Sequence, residues 1–149
     1  ICNKLISNGY NHYEISNFSK KGYESKHNLT YWNNLEYYGF GMGASSYINN
    51  KRITNTKNIT KYLNHEYIYE EEVLNDTMKM EYEMILGLRK IEGVDMNHFK
   101  EKYNHDIKDV FDIEKLLKER KLIIENNHIK IDEKHLYLSN EVLINFIGD

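Results

Sequence analysis

The sequence predicts a mixed α/β fold of the α+β kind, built from two unlike parts. Residues 1–69 carry eight Lys and Arg against four Asp and Glu, whereas residues 70–149 carry twelve against nineteen. Ten of the 13 tyrosines lie in the first part. The second part repeats apolar residues at the spacing of amphipathic helices, while the first contains strand-like and turn-like stretches. These changes predict a boundary near 65–75, with domains at 1–66 and 70–149.

The first element is predicted to be the end of a helix, followed by a strand and a loop. Residues 1–9 end at Gly9, and glycine commonly terminates helices. Residues 10–15 have the composition of a short strand. Residues 16–30 are polar and rich in turn-forming residues, so we expect a surface loop. Because the sequence begins with Ile1 rather than Met, it is expected to be part of a longer protein.

The next stretch predicts an interrupted strand, a hairpin and a short helix. Residues 37–43 are strand-like, although glycines interrupt them. Residues 44–54 predict a hairpin, because the Asn pair at 49–50 tolerates the positive φ of a two-residue turn. A helix is expected at 58–65, with Asn58 as its N-cap. This succession of elements is typical of the closing units of an α/β barrel or sheet.

The second part is predicted to be a winged-helix domain. Met80, Met84 and Leu88 lie on one stripe of its first helix, and Gly93 ends that helix. Two strands joined by a two-residue Asn turn form the wing. The predicted elements are helices at 76–91, about 95–103 and about 106–121, a hairpin at 122–131 and a last helix at 133–147.

The charge of this domain argues against nucleic acid as a partner. The third helix of a winged helix is the recognition helix, and here its segment carries Asp106, Asp109, Asp112 and Glu114. Nonspecific affinity for nucleic acids comes from contacts between basic side chains and phosphates. The acidic surface instead predicts a module that docks on or covers a neighbouring domain.

Composition limits the cofactors and the compartment. Cys2 is the only cysteine, so no internal disulfide can form, and a cytoplasmic location is expected. Cys2 alone cannot hold an iron–sulfur cluster, which needs about three or four thiolates, and we expect it to be buried. The seven histidines show no spacing typical of a zinc site. No apolar run approaches the roughly 20 residues of a membrane-spanning helix.

The most distinctive motif is HNLTYW at 27–32, which is followed by the glycine-rich GFGMGA at 39–44. An imidazole can be an axial ligand of heme iron, and aromatic rings can pack on a porphyrin. The alternative is that His27 hydrogen-bonds the loop backbone while Trp32 anchors the loop. The glycines also allow two interpretations, close packing of another backbone or an edge for the adenosine of a cofactor. The residues alone leave both pairs of alternatives open.

Four motifs in order carry a resemblance to a known family. They are Tyr-Glu-Ile-Ser-Asn-Phe at 13–18, His-Asn-x-x-Tyr-Trp at 27–32, Gly-x-Gly-x-Gly-Ala at 39–44 and Gly-Leu-Arg-x-x-x-Gly at 87–93. The chain resembles the C-terminal part of the radical S-adenosylmethionine proteins related to oxygen-independent coproporphyrinogen III oxidase. It is more similar to the heme chaperone (HemW-type) branch, because a true oxidase is not expected to carry the second motif. The resemblance covers essentially the whole chain.

The resemblance implies a fold and a set of site residues. The fold would be the last units of a partial TIM-like barrel, with strands at 10–15 and 38–48, followed by a winged-helix-like C-terminal domain. The parent would bind S-adenosylmethionine and a [4Fe–4S] cluster whose cysteine ligands lie outside this chain. His27 is the implied ligand of the heme iron, with Tyr31 and Trp32 beside the heme. The residues implied at the edge of the S-adenosylmethionine pocket are Gly39, Gly41, Gly43, Ala44 and Ser45.

The resemblance also implies that the parent binds heme and hands it to heme-accepting proteins, membrane-associated ones among them. Two alternatives stay open. The parent is an oxygen-independent coproporphyrinogen III oxidase of heme biosynthesis, or residues 70–149 are a protein-interaction module. The family often has a His after the Gly-Ala pair, whereas Ser45 and Ser46 follow it here. This departure weakens any expectation of a second heme-binding histidine near the glycines.

Overall fold

The computed structural model describes residues 1–148 and combines short helices with small antiparallel sheets. It contains two compact units. Residues 1–34 and the residues from 80 onward form one unit, and residues 35–79 form the other. The divisions between the units fall after residues 34 and 79, whereas the sequence predicts a boundary near 65–75. The mixed fold class is confirmed, while the domains at 1–66 and 70–149 stay a prediction.

The first 34 residues fold into more secondary structure than predicted. They contain α1 (Cys2–Ser7), β1 (Asn11–Glu14), β2 (Asn17–Ser19) and α2 (Lys26–Trp32). α1 ends shortly before Gly9, whose φ of +80° suits a helix end. The loop predicted at 16–30 is wrong, because β2 pairs antiparallel with β1 and Ser25 caps α2. Neither β2 nor α2 carries a continuous apolar stripe, so their polar composition resembles that of a loop.

The second unit is built on an antiparallel sheet. Its elements are β3 (Ser45–Ile48), β4 (Lys51–Asn55), α3 (Ile59–Leu63) and β5 (Ile68–Val73), with the strands in the order β3-β4-β5. The predicted hairpin is confirmed, and its turn residues Asn49 and Asn50 have φ of +48° and +60°. The predicted cap of α3 is confirmed as well, since the Asn58 side chain accepts the N–H of Lys61 at 3.1 Å.

The strand-like stretch at 37–43 is not a strand. Tyr37 forms an isolated bridge with Tyr47, and the glycines at 41 and 43 have positive φ, which breaks the extended backbone. The strand predicted at 10–15 is confirmed as β1, and β3 lies within the stretch expected at 38–48. Both strands belong to hairpins rather than to a barrel, since the strand pairings within residues 1–148 are antiparallel. Parallel barrel units are therefore not formed inside this part of the chain.

From residue 76 onward, the elements follow in the order of the predicted winged helix. They are α4 (Asp76–Gly87), β6 (Val94–Asp95), α5 (Met96–Tyr103), α6 (Ile107–Val110), α7 (Glu114–Lys118), β7 (Leu122–Glu125) and β8 (His128–Ile131). The strands lie in the order β6-β8-β7, with antiparallel pairing. β6 therefore joins the wing to the helices. The predicted turn residues Asn126 and Asn127 have φ of +49° and +62°.

The helix predicted at 106–121 is broken into α6 and α7. Phe111 takes an extended conformation directly after α6. Its ring then packs against Phe99 and Phe146, with ring centroids 6.5 and 5.2 Å apart. Tertiary packing of an aromatic side chain thus overrides the helical periodicity of this segment.

The helix predicted at 133–147 is also divided. A 3-10 helix spans Glu133–Leu138, α8 spans Ser139–Leu143, and a second 3-10 turn spans Ile144–Phe146. Ser139, Val142, Leu143 and Phe146 are buried, so the apolar face that predicts a helix here is present although the helix type changes along it.

The apolar core of the first unit holds the winged helix together. The stripe of Met80, Met84 and Leu88 is confirmed, and the last two side chains are fully buried. Other core members come from the helices, the wing and the C-terminal segment, among them Phe99, Ile107, Ile113, Ile129, Val142 and Phe146. Each such side chain stabilises the fold by about 1.5–3 kcal/mol through burial.

Cys2 does not belong to this core. It is half-buried, so the prediction that it is buried is wrong, and its thiol lies 3.2 Å from the hydroxyl of Tyr137. This hydrogen bond raises the pKa of the Tyr137 phenol. No helix within the described residues is long and apolar enough to cross a membrane.

Candidate functional site

The HNLTYW motif forms most of α2, and its first residues are fixed to strand β1. The Ser25 hydroxyl accepts the N–H of Asn28 at 3.3 Å and so caps the helix. The backbone N–H of Ser25 donates in turn to the hydroxyl of Tyr13 at 3.4 Å. Tyr13 belongs to β1 and opens the first of the four family motifs. The start of α2 therefore depends on a side chain from that motif.

His27 lies on the exposed side of α2, one turn before Tyr31. The two rings meet edge to face, with centroids 4.5 Å apart and planes inclined by 76°. Within residues 1–148, no group hydrogen-bonds to the His27 ring nitrogens. The loop-backbone bond considered as the alternative for His27 is therefore not formed there. A solvent-accessible imidazole with a free nitrogen lone pair is suited to ligating a metal.

Trp32 ends α2 and turns toward the other motifs. The guanidinium carbon of Arg89 lies 5.2 Å from the centroid of the indole ring, within the range of a cation–π contact. The indole Nε1–H is buried and has no acceptor among the described residues. Buried donors without a partner are uncommon in folded proteins. Trp32 thus contacts Arg89 and also has an unused donor, and both interpretations of Trp32 stay predictions.

The two residues after α2 are held by charged side chains of the winged-helix domain. The Lys90 ammonium donates to the Asn33 carboxamide oxygen at 2.7 Å. Asn34 is buried with a φ of +49°, and its amide donates to a carboxylate oxygen of Glu83 at 3.2 Å. Both ends of the HNLTYW helix are therefore fixed by contacts within the first unit.

Glu83 is a buried acidic residue of α4 that gathers several donors. Besides Asn34, its Oε2 atom accepts from the Lys102 ammonium at 2.7 Å and from the Tyr103 hydroxyl at 3.0 Å. A buried carboxylate is tolerated when it is paired and hydrogen-bonded in this way. Glu83 consequently ties the end of α2 to α5.

The motifs at 13–18 and 87–93 also meet through the backbone. The N–H of Ile15 donates to the carbonyl of Arg89 at 3.0 Å, and the N–H of Ile91 donates to the carbonyl of Tyr13 at 3.2 Å. The motifs at 13–18, 27–32 and 87–93 therefore form one site. Sequence reasoning missed the part that Arg89, Lys90 and Glu83 take in it. The sequence signal that could have found these residues is their charge, because they lie within α4 or directly after it, close to its apolar stripe.

The glycine-rich stretch belongs to the second unit, and the first glycine is required by the chain itself. A Cβ atom at Gly39 would lie 2.1 Å from the carbonyl oxygen of Ser45, which no side chain could accommodate. The N–H of Gly39 also donates to the Ser46 hydroxyl at 2.9 Å. Close backbone packing, one of the two interpretations from sequence, thus accounts for Gly39.

Gly41 and Gly43 have φ of +97° and +69°, which favours glycine at both positions. The stretch is held beside β4 because the Asn55 side chain donates to the Gly41 carbonyl at 2.9 Å and the Asn55 backbone donates to the Ala44 carbonyl at 2.8 Å. Nothing lies within 4 Å of the position that a Cβ atom of Gly41 would occupy. Ser45 begins β3, so the stretch ends in regular sheet.

Apolar side chains around these glycines face solvent. Tyr38, Phe40 and Met42 are 68%, 87% and 48% exposed, and the first two rings stack with centroids 6.2 Å apart. Exposed aromatic groups of this kind commonly contact ligands or other protein surfaces. The sequence-predicted residues therefore lie in two places, with His27, Tyr31 and Trp32 in the first unit and Gly39–Ser45 in the second.

Comparison with known proteins gives consistent matches. The family model described as the HemN C-terminal domain matches residues 74–138. The whole chain is 40% identical to the heme chaperone HemW of Lactococcus lactis and 37% identical to that of Bacillus subtilis. The chain spans 41% of the length of each of these relatives. The chain belongs to the family of HemN- and HemW-related proteins.

The fold of this family is also found among solved structures. The coproporphyrinogen III oxidase HemN of Escherichia coli, described as a radical SAM enzyme, matches 97% of the chain with a TM-score of 0.72. The match covers 38% of that structure at 14% identity, which shows a common fold. The winged-helix-like ending expected from the resemblance therefore corresponds to a HemN-type C-terminal domain.

The residues of this HemN- and HemW-related chain fit the implied groups to different degrees. A [4Fe–4S] cluster does not fit, because Cys2 is the only cysteine. No cluster of three or more His, Cys, Asp or Glu residues that could hold a metal ion is found among residues 1–148. Heme needs only one axial ligand from a protein side chain, and the free imidazole of His27 can supply it.

Proposed function

We propose that this chain is the C-terminal part of a heme chaperone, which binds heme and transfers it to heme-accepting proteins. The observation that supports this most directly is the His27 imidazole, which is exposed, has free ring nitrogens and stands on a helix fixed at both ends. The names of the relatives that match the whole chain support the same function.

The geometry suits reversible binding of heme as cargo. His27 offers one lone pair to the iron, and the Tyr31 ring limits the rotation of the imidazole through its edge-to-face contact at 4.5 Å. Tyr31 and the nearby Trp32 provide aromatic surface for the porphyrin. A single protein ligand on an exposed helix leaves the opposite side of the iron open to a ligand from an acceptor protein. Transfer can therefore begin before the chaperone releases the heme.

For the full-length protein, we propose that the glycine-rich stretch edges the S-adenosylmethionine pocket. This stretch is a segment of backbone with small side chains beside β4, and open space lies beside Gly41. Its residues are Gly39, Gly41, Gly43, Ala44 and Ser45. The [4Fe–4S] cluster would be ligated by cysteines of the rest of the protein. When bound, such a cluster supplies one-electron chemistry toward S-adenosylmethionine. Titration of the full-length protein with S-adenosylmethionine tests this assignment.

The oxidase alternative has less support. The HemW relatives are 37–40% identical over the whole chain, whereas the likeness to the HemN structure rests on fold at 14% identity. An anaerobic assay of the full-length protein with coproporphyrinogen is expected to yield no protoporphyrinogen. Product formation would instead favour the oxidase. The acceptor proteins, membrane-associated or not, and the cytoplasmic location are part of the chaperone proposal. Pull-down with the full-length protein tests whether it recruits such acceptors.

Replacing His27 tests the heme site. In the full-length protein, His27→Ala is expected to lower the affinity for heme by about tenfold or more and to abolish the shift of the Soret band. The reason is the loss of the only imidazole that the HNLTYW helix presents. Absorption titration with hemin under reducing conditions measures both quantities.

The matched control is His105→Ala. His105 is also an exposed histidine of the first unit, and it makes no hydrogen bond or ion pair within residues 1–148. Its replacement should leave the titration unchanged. If His27→Ala behaves like the control, the assignment of His27 as the iron ligand is wrong.

A further inference from the structure

Arg89 carries a charge that the described chain does not neutralise. Its guanidinium forms no ion pair or hydrogen bond within residues 1–148 and lies over the Trp32 ring at 5.2 Å. The residue is half-buried, and its backbone is fixed because its N–H donates to Leu86 and its carbonyl accepts from Ile15. An arginine is always charged and has five N–H donors in a planar arrangement. A half-buried guanidinium without an acceptor is therefore a candidate anion-binding group.

The neighbouring cations are already paired. The Lys90 ammonium donates to Asn33 at 2.7 Å and to Glu92 at 3.2 Å. The Lys102 ammonium pairs with Glu83 at 2.7 Å. The uncompensated positive charge at this site is thus localised on Arg89.

A second donor without an acceptor lies beside this charge. The Nε1–H group of Trp32, whose ring is in contact with the guanidinium, is buried and unpaired among the described residues. Two adjacent side chains therefore both lack an acceptor, and a carboxylate is the anion whose two oxygens match such donors. Because Trp32 supports the guanidinium from one side, the remaining N–H groups are held in a limited range of orientations.

We propose that Arg89 is a carboxylate-binding residue that takes a propionate group of the heme ligated by His27. This inference rests on the proposed heme site and adds that the site recognises the carboxylate groups of heme. His27 and Trp32 are five residues apart on α2, which corresponds to about 7.5 Å along the helix axis and about 140° around it. A heme ligated by His27 would therefore extend both along and around the helix to bring a carboxylate at its edge to Arg89.

The test compares heme with a heme that lacks carboxylates. Full-length wild-type protein and the variants Arg89→Ala, Arg89→Lys and Arg120→Ala are titrated with heme and with heme dimethyl ester, in which both propionates are esterified. Wild type is expected to bind heme at least about tenfold more tightly than the ester, because a charge-assisted bidentate hydrogen bond is lost with the ester. Arg89→Ala should reduce this ratio to about one, and Arg89→Lys should restore part of it.

The ratio of the two affinities separates carboxylate binding from a purely structural effect. If Arg89 only supports Trp32, its removal lowers the affinity for both ligands equally and the ratio stays at the wild-type value, which overturns the proposal. Trp32 is the only tryptophan of residues 1–149, and the difference in emission between the full-length protein and its Trp32→Phe variant reports any loosening of the ring independently of heme. Arg120→Ala removes the same charge from an exposed position of the same unit and should keep the wild-type ratio.

The outcomes for Arg89 and for the heme site are distinguishable. If wild type binds neither ligand, or if His27→Ala binds heme as wild type does, the proposed heme site fails. If heme binds through His27 but wild type does not discriminate against the ester, the heme site stands and the inference about Arg89 is wrong.

Discussion

Glu83 shows how much of the candidate site depends on one buried side chain. Glu83→Ala removes the acceptor shared by Asn34, Lys102 and Tyr103. We expect it to lower the free energy of unfolding by about 2–3 kcal/mol, near the lower limit for a broken buried pair, because Lys102 is partly exposed. Glu83→Gln, which keeps one acceptor, should cost about 1 kcal/mol. Urea unfolding followed by circular dichroism measures both changes.

Exposed Glu101 of α5 is the control for this prediction, and Glu101→Ala should change stability by less than about 0.5 kcal/mol. If Glu83→Ala is equally mild, the cluster does not anchor α2. His27, Tyr31 and Trp32 could be found from sequence because these residues lie together in one motif. The contacts of Arg89 with Trp32 and of Glu83 with Asn34 could not be found, since contacts between residues about 50 positions apart depend on tertiary structure.

Asp95 joins two elements of the winged helix. Its carboxylate accepts the backbone N–H groups of Asn97 and His98, at the start of α5, and the amide of Asn127 in the wing turn. The bond from His98 is the main cause of a pKa below the ordinary 3.8 of aspartate. We expect Asp95→Ala to lower the free energy of unfolding at pH 7 by about 1 kcal/mol, as is usual for the loss of an N-cap.

The effect of this cap depends on pH in a defined direction. Because the folded-state pKa is lowered, the carboxylate stabilises the fold fully above about 3.8 and less as the pH falls below that value. The difference in unfolding free energy between wild type and Asp95→Ala should therefore shrink in urea titrations performed below pH 4. Asp109→Ala, at an exposed position, should show neither effect. A pH-independent difference would mean that Asp95 acts through packing alone.

Elements with a local cause could be predicted from sequence, and the others could not. The hairpin turns at 49–50 and 126–127 follow from paired asparagines, and the α3 cap follows from Asn58. The break after α6 depends on where the Phe111 ring packs, which no local pattern indicates. β2 was missed because three residues carry too short an alternation to be distinguished from a polar loop.

At the scale of the whole molecule, the motifs divide between two units. The HNLTYW and glycine-rich motifs are neighbours in sequence, whereas the structure assigns α2 to one unit and the glycine-rich stretch to the other. The chain also spans 41% of the length of its HemW relatives. The residues of the proposed heme site therefore all lie in the first unit. The proposed cofactor pocket also depends on residues of the full-length protein that lie outside this chain.

Gly41 and Gly22 offer a matched pair for testing that pocket. Both have positive φ, +97° and +85°, and both have open space at the Cβ position, so alanine causes similar backbone strain of about 1 kcal/mol in each. In the full-length protein with its cluster reconstituted, Gly41→Ala should weaken S-adenosylmethionine binding by about tenfold. The added methyl group would project from the glycine-rich stretch and would move the Gly41 carbonyl, which accepts from Asn55. Gly22→Ala should bind as wild type does. Calorimetric titration measures the affinities, and equal values for both variants would remove the glycine-rich stretch from the cofactor pocket.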